Sequence, residues 1–243
     1  MRFGFWETVT EETTQGCDTL KRLYVILVLF MLLCPHIHAS EPEKLVALTF
    51  DDGPSGRFTR ALLQGLQERD VQATFLLCGY RMEQYPTLTR QIMAAGHEIG
   101  LHGYSHKAMN RMTQCQIATE LEKTLALLPE GCPVAFLRPP GGQTSAATHA
   151  AAKAKGLSLL SWSVDPRDWA TRDAAAVEAQ VLYQVRDGDV ILLHDMSDSS
   201  VTAALAIVDK LQAQGFRFVT VSQLAEAKGV AMQPGQLYCR FDG

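Results

Sequence analysis

From residue 44 onward, short apolar runs rich in β-branched and aromatic residues alternate with stretches whose apolar residues recur three and four positions apart. The first pattern marks buried strands and the second amphipathic helices, so their alternation predicts repeated βα units. Strands are expected over 45–50, 73–77, 98–101, 134–137, 157–163, 190–193 and 216–220. Helices are expected over 58–69, 88–95, 113–128, 145–155, 174–185 and 202–214. Gly96, Gly156, Gly188 and Gly215 fall just after helices or just before strands, where a left-handed cap is wanted. The implied class is α/β: a distorted (β/α) barrel of about seven parallel strands with outer helices, or an open parallel sheet. In either, chemistry belongs at the C-terminal ends of the strands. Residues 232–243 show no clear period, so a catalytic domain over 44–228 and a tail over 229–243 are expected.

A different pattern precedes the domain. Residues 23–34 are unbroken apolar, follow Lys21 and Arg22, and lead through Pro35 to Ala39 and Ser40. This reads as a secretory signal within residues 1–40, either cleaved or kept as a signal anchor. The run is shorter than the roughly 20 residues of a full membrane span. An extracytoplasmic protein is expected, secreted or attached to the cell envelope, with membrane contact only through an uncleaved anchor.

With 243 residues, 47% of them apolar, one domain can bury a sizeable core. Lysine plus arginine total 22 against 26 aspartate plus glutamate, without a dense run of one sign, which argues against nucleic-acid binding. Cys78, Cys115, Cys132 and Cys239 match no zinc spacing. An exported chain leaves them open to pairing or to remaining free thiols.

Polar clusters interrupt the pattern at successive strand ends. The first strand runs into Thr49-Phe50-Asp51-Asp52-Gly53-Pro54, and two adjacent carboxylates are uncomfortable unless positive charge stands beside them. A metal would supply it; helix-capping turn aspartates are the plain alternative. The third strand ends in His102-Gly103-Tyr104-Ser105-His106, whose two imidazoles can converge on one ion. The glutamate of the zinc-protease motif is absent, Gly103 standing in its place. Arg138-Pro139-Pro140-Gly141-Gly142, Asp165-Pro166-Arg167-Asp168-Trp169 and Leu192-Leu193-His194-Asp195 follow at later strand ends. Arginine can grip a carboxylate in a planar fork, and glycines let backbone approach a ligand.

Five such motifs in order resemble the polysaccharide deacetylase family, the NodB-homology domain of carbohydrate esterase family four, over essentially residues 44–228. The resemblance implies Asp51 as general base, Asp52, His102 and His106 as metal ligands, and His194 as general acid. It implies that Arg138 holds the base, that Asp165 orients the acid, that the Gly141 amide holds the oxyanion, and that Trp169 and Leu192 line the acetyl pocket. The implied cofactor is a divalent metal, zinc or else cobalt or another ion. The implied reaction is removal of N-acetyl groups from N-acetylglucosamine units of peptidoglycan or chitin-type polysaccharide. O-deacetylation of a xylan-type glycan and non-catalytic glycan binding stay open. Two positions depart from the family pattern: Gly103 replaces a serine or threonine, and Gly141 an aromatic residue.

Overall fold

The computed structural model describes residues 43–242. The apolar run at 23–34 and the expected signal segment lie outside them. Eight parallel strands form one curled sheet: β1 (Lys44–Asp51), β2 (Thr74–Leu77), β3 (Glu98–Leu101), β4 (Phe136–Leu137), β5 (Ser158–Leu160), β6 (Val190–His194), β7 (Phe216–Phe218) and β8 (Leu237–Tyr238). Their order is β6-β1-β2-β3-β4-β5-β8, and β7 pairs with the first half of β1. Beyond β5, Val164 bridges to Ile191 of β6, curling the sheet into a distorted (β/α) barrel. The expected strands are all present, though β4 and β5 are shorter than their apolar runs.

Around the sheet stand α1 (Arg57–Glu68), α2 (Gly79–Gln84), α3 (Pro86–Ala94), α4 (Gln114–Leu125), α5 (Ala146–Ala154), α6 (Asp168–Thr171), α7 (Ala174–Gln184), α8 (Asp198–Ala213) and α9 (Val221–Ala227). Helix α1 turns Thr59, Leu62 and Leu66 inward at helical spacing. Its Gly65 lets α8 approach, since a Cβ there would lie 2.4 Å from Leu205. Capping boxes at Thr113/Gln116, Ser145/Thr148 and Thr220/Gln223 start α4, α5 and α9. Such caps satisfy amides that the first turn leaves unpaired, each contributing about 1 kcal/mol. Helices α2, α6 and α9 escaped the sequence pattern because four to seven residues hold too little of a 3.6-residue period.

All of β1 beyond Lys44 is buried, as for a central parallel strand covered on both faces. Val46, Leu48 and Phe50 pack with Phe75, Leu62 and Ile207 in the main core. The expected C-terminal tail differs from a loose end. Residues Leu237–Tyr238 add β8 beside β5, and Phe241, 1% exposed, stacks on Tyr238. Two strand residues and one anchor leave no periodicity to read. Cys78, Cys115, Cys132 and Cys239 are all free thiols. Among the described residues, no helix is long and apolar enough to cross a membrane.

Candidate active site

Strand register places the polar residues together. On β1 and β6, Thr49 is paired with Leu192 and Asp51 with His194. Side chains two apart share a face, so Asp51 and His194 stand side by side at the rim, with Thr49 and Leu192 beneath. On β3 and β4, Leu101 is paired with Leu137, which brings His102 and Arg138, each one residue further, to the same rim.

Asp52, His102 and His106 offer ligand atoms that all lie within 4.8 Å of one another. His106 Nε2 is 2.9 Å and His102 Nε2 3.3 Å from Asp52 Oδ1. Yet that oxygen is buried and receives no aligned hydrogen bond from either ring. Lone pairs converging on a point instead of on one another suit a cation, and two imidazoles with one carboxylate suit zinc-like ions. His102 Nδ1 lies 2.7 Å from the carbonyl of Arg138, which fixes the tautomer that leaves Nε2 free as a ligand. Asp52 and His106 both sit in the left-handed backbone region, at φ 72° and 56°, a strain that residues other than glycine seldom carry. Burial opposes the charge on Asp52, but the two histidines outweigh it and hold the carboxyl well below its ordinary range. The Asp52 carboxylate beside it in turn raises His106 against its partial burial.

Arg138 is fully buried beneath this trio. Its Nη1 donates to Asp51 Oδ1 at 2.6 Å and to Thr49 Oγ1 at 2.8 Å, and its Nη2 donates to the carbonyl of Ser161 at 2.8 Å. This single nitrogen holds Oδ1 of Asp51 while Oδ2 faces His102 at 3.7 Å. Across the rim, Asp168 Oδ1 lies 2.8 Å from His194 Nδ1, and its Oδ2 accepts the His194 backbone N–H at 2.9 Å. Burial alone would lower the His194 pKa. The Asp168 hydrogen bond and charge, with Asp51 and Asp52 behind them, push it up to about 9.

That geometry corrects one expected residue. Asp165 does not touch His194; its Oδ1 accepts the Arg167 N–H at 2.8 Å and is spent on the turn. Arg167 is left-handed, at φ 55°, and turns the chain so that α6 opens with Asp168 facing inward, 1% exposed. Trp169, next on α6, is 56% exposed with the Arg167 guanidinium over its ring, whereas Leu192 is buried below His194.

Sequence reasoning gave no part to Thr49, Glu120, Trp162 or Asp195. Glu120 accepts the Tyr104 and Ser105 amides and the Ser105 hydroxyl, fixing the loop between His102 and His106. Trp162 lies under Arg138 and fills the space beside Gly142, where a Cβ would meet the ring at 2.5 Å. Asp195 is buried beneath the Gly53-Pro54 turn and takes the Thr59 hydroxyl hydrogen bond; burial pushes its pKa up to about 7. A Cβ on Gly53 would lie 2.8 Å from both of its carboxylate oxygens. The departures also have local reasons. Gly103 is left-handed at φ 77°, with Met109 where a side chain would stand. Gly141, at φ 70°, has open space around its missing Cβ.

Comparison with known proteins places these features. The polysaccharide deacetylase family model matches residues 38–160. A peptidoglycan-N-acetylglucosamine deacetylase of Bacillus cereus is 37% identical over 193 residues, covering 76% of this chain and 90% of that protein. The structure of peptidoglycan deacetylase PdaC from Bacillus subtilis superposes with a TM-score of 0.74 at 33% identity, over 77% of this chain and 93% of the other. A family 4 acetyl xylan esterase from Clostridium thermocellum, solved with a cobalt ion, gives 0.76 at 33% identity, over 81% and 98%.

Proposed function

Because the chain belongs to the polysaccharide deacetylase family, we propose that it is a metal-dependent N-deacetylase acting on N-acetylglucosamine units of peptidoglycan or a chitin-type glycan and releasing acetate. The observation that carries this reading is one rim holding a three-ligand cluster, a carboxylate gripped by arginine and an imidazole gripped by a second carboxylate. Asp52, His102 and His106 would hold the ion, zinc by the chemistry of the donor set. When bound, such an ion supplies Lewis acidity that lowers the pKa of water toward about 7 and polarises a carbonyl.

The chain's own residues do the rest. Asp51, its Oδ1 held by Arg138, takes the proton of the attacking water on Oδ2. The Gly141 amide donates to the oxygen that gains charge as the carbonyl becomes tetrahedral. His194, whose Nδ1 is engaged by Asp168, gives its Nε2 proton to the departing sugar nitrogen. The C–N bond breaks, and acetate and a free amine leave. Leu192 and Trp169 border the place of the acetyl methyl group. The natural polymers of this class lie outside the membrane, in keeping with the signal-like run at 23–34.

A xylan-type ester remains a second reading, since the acetyl xylan esterase shares the fold at 33% identity. Acetate release from peptidoglycan, chitin oligosaccharides and acetylated xylan decides between them. Turnover on the N-acetylated glycans is expected, at a kcat/KM at least about tenfold above that on the xylan, a difference of about 1.4 kcal/mol. Release from xylan alone would transfer the reading to an O-acetyl esterase.

A further inference from the structure

Immediately beyond His106 a groove of about 600 Å³ opens, lined by Lys107, Arg111, Gln116, Thr119 and Glu120. We propose that it recognises a carboxylate carried by a sugar, or by a peptide on a sugar, next to the one being deacetylated, and so selects an acidic glycan over a neutral one. The inference rests on the deacetylase reading for its substrate, and on the groove's own charge for its content.

Lys107 and Arg111 are exposed, and among the described residues neither lies within ion-pair distance of a carboxylate. Glu120, the groove's carboxylate, is turned to the Tyr104 and Ser105 amides and the Ser105 hydroxyl, so its oxygens are engaged by the ligand loop. The backbone that carries Arg111 stands on a fixed support. Met109 is buried against Gly103, and Asn110 donates to Gln143 at 2.6 Å, which pins the turn Met109–Arg111 to the loop that follows Gly141. Lys107 is the next residue after a ligand and Arg111 sits one short turn later. Glu120 lines the groove and also holds the loop between His102 and His106, so the groove lies against that loop, on the side where the proposal puts the neighbouring unit of a glycan whose acetamido group is at the rim. A turn that is already pinned loses less freedom on pairing than a loose loop, and arginine can take a carboxylate in a two-pronged contact.

The test uses solubilised peptidoglycan strands and the same strands with their carboxylates converted to neutral amides. Binding is measured by calorimetry for the full protein and for the Lys107→Ala, Arg111→Ala double variant. The native chain is expected to bind the acidic strands about tenfold more tightly, a preference that 1 M salt, with a screening length of about 3 Å, removes. The double variant should bind both strands alike while releasing acetate from a neutral chitin tetramer at the native rate. No preference in the native chain, or a preference kept by the double variant, would overturn the proposal. Absence of acetate release from every glycan, with the binding preference intact, would strike the deacetylase reading and leave the groove standing.

Discussion

Asp51→Asn is expected to keep the metal and lose about 100-fold or more in turnover, the usual scale for losing general base assistance. Asparagine preserves the shape of the side chain. Its amide oxygen can accept the Arg138 hydrogen bond that Oδ1 accepts now, at 2.6 Å. The amide nitrogen then stands where Oδ2 faces the ligand cluster, and it cannot take a proton from water. Asp52→Ala is the complementary change. It removes the one carboxylate of the trio, so bound metal and acetate release should fall together, with part of the rate returning in excess zinc. Metal content and acetate release measured on both variants distinguish two aspartates that are neighbours in sequence. Loss of metal from Asp51→Asn with retention in Asp52→Ala would reverse their roles.

A loss on the order of 10³-fold is expected from Asp168→Asn, against a change within about threefold from Asp165→Asn. Asp168 accepts from His194 Nδ1 on one oxygen and from its backbone N–H on the other, whereas an asparagine there has one acceptor for the two donors and sets its NH2 against the second. Asp165 accepts only the Arg167 amide. The pH profile gives a second, independent reading. With His194 as the proposed acid, its protonated form is the active one, so activity is expected below its pKa and should fall as pH rises through it. The free protein sets that pKa at about 9, and a cation at Asp52 offsets part of the charge that raises it. Removing the Asp168 carboxylate should move the alkaline limb to lower pH, whereas Asp165→Asn should leave it in place. An unmoved limb in Asp168→Asn, or a large defect in Asp165→Asn, would restore the assignment that the motif alone suggested.

These two aspartates also show where the sequence stops being legible. Asp51, His102, Arg138 and His194 could be read as one site because each closes or follows an apolar run, and parallel strands end together. Register then does what spacing cannot, pairing Asp51 with His194 across 143 positions. The motif points to Asp165 and the structure to Asp168 because α6 is four residues long, and the left-handed turn at Arg167 decides which carboxylate points inward. Glu120 and Thr49 carry no signal of their own. A glutamate on α4 and a threonine inside a strand are ordinary residues until the loop and the arginine they hold are seen. Asp195 was visible as a letter after His194, but its place beneath Gly53 depends on two segments more than 140 residues apart.

The most direct measurement is acetate release as a function of metal occupancy. Protein stripped with a chelator is titrated with zinc, and bound metal and acetate release from a chitin or peptidoglycan oligomer are followed on the same samples, alongside His106→Ala. Native protein should take up a single tightly held ion and recover activity in step with it, while His106→Ala, missing one of the three ligands, should need more zinc to reach the same occupancy. Undiminished acetate release from thoroughly metal-free protein, or tight zinc binding that is indifferent to His106, would contradict a catalytic metal held by Asp52, His102 and His106.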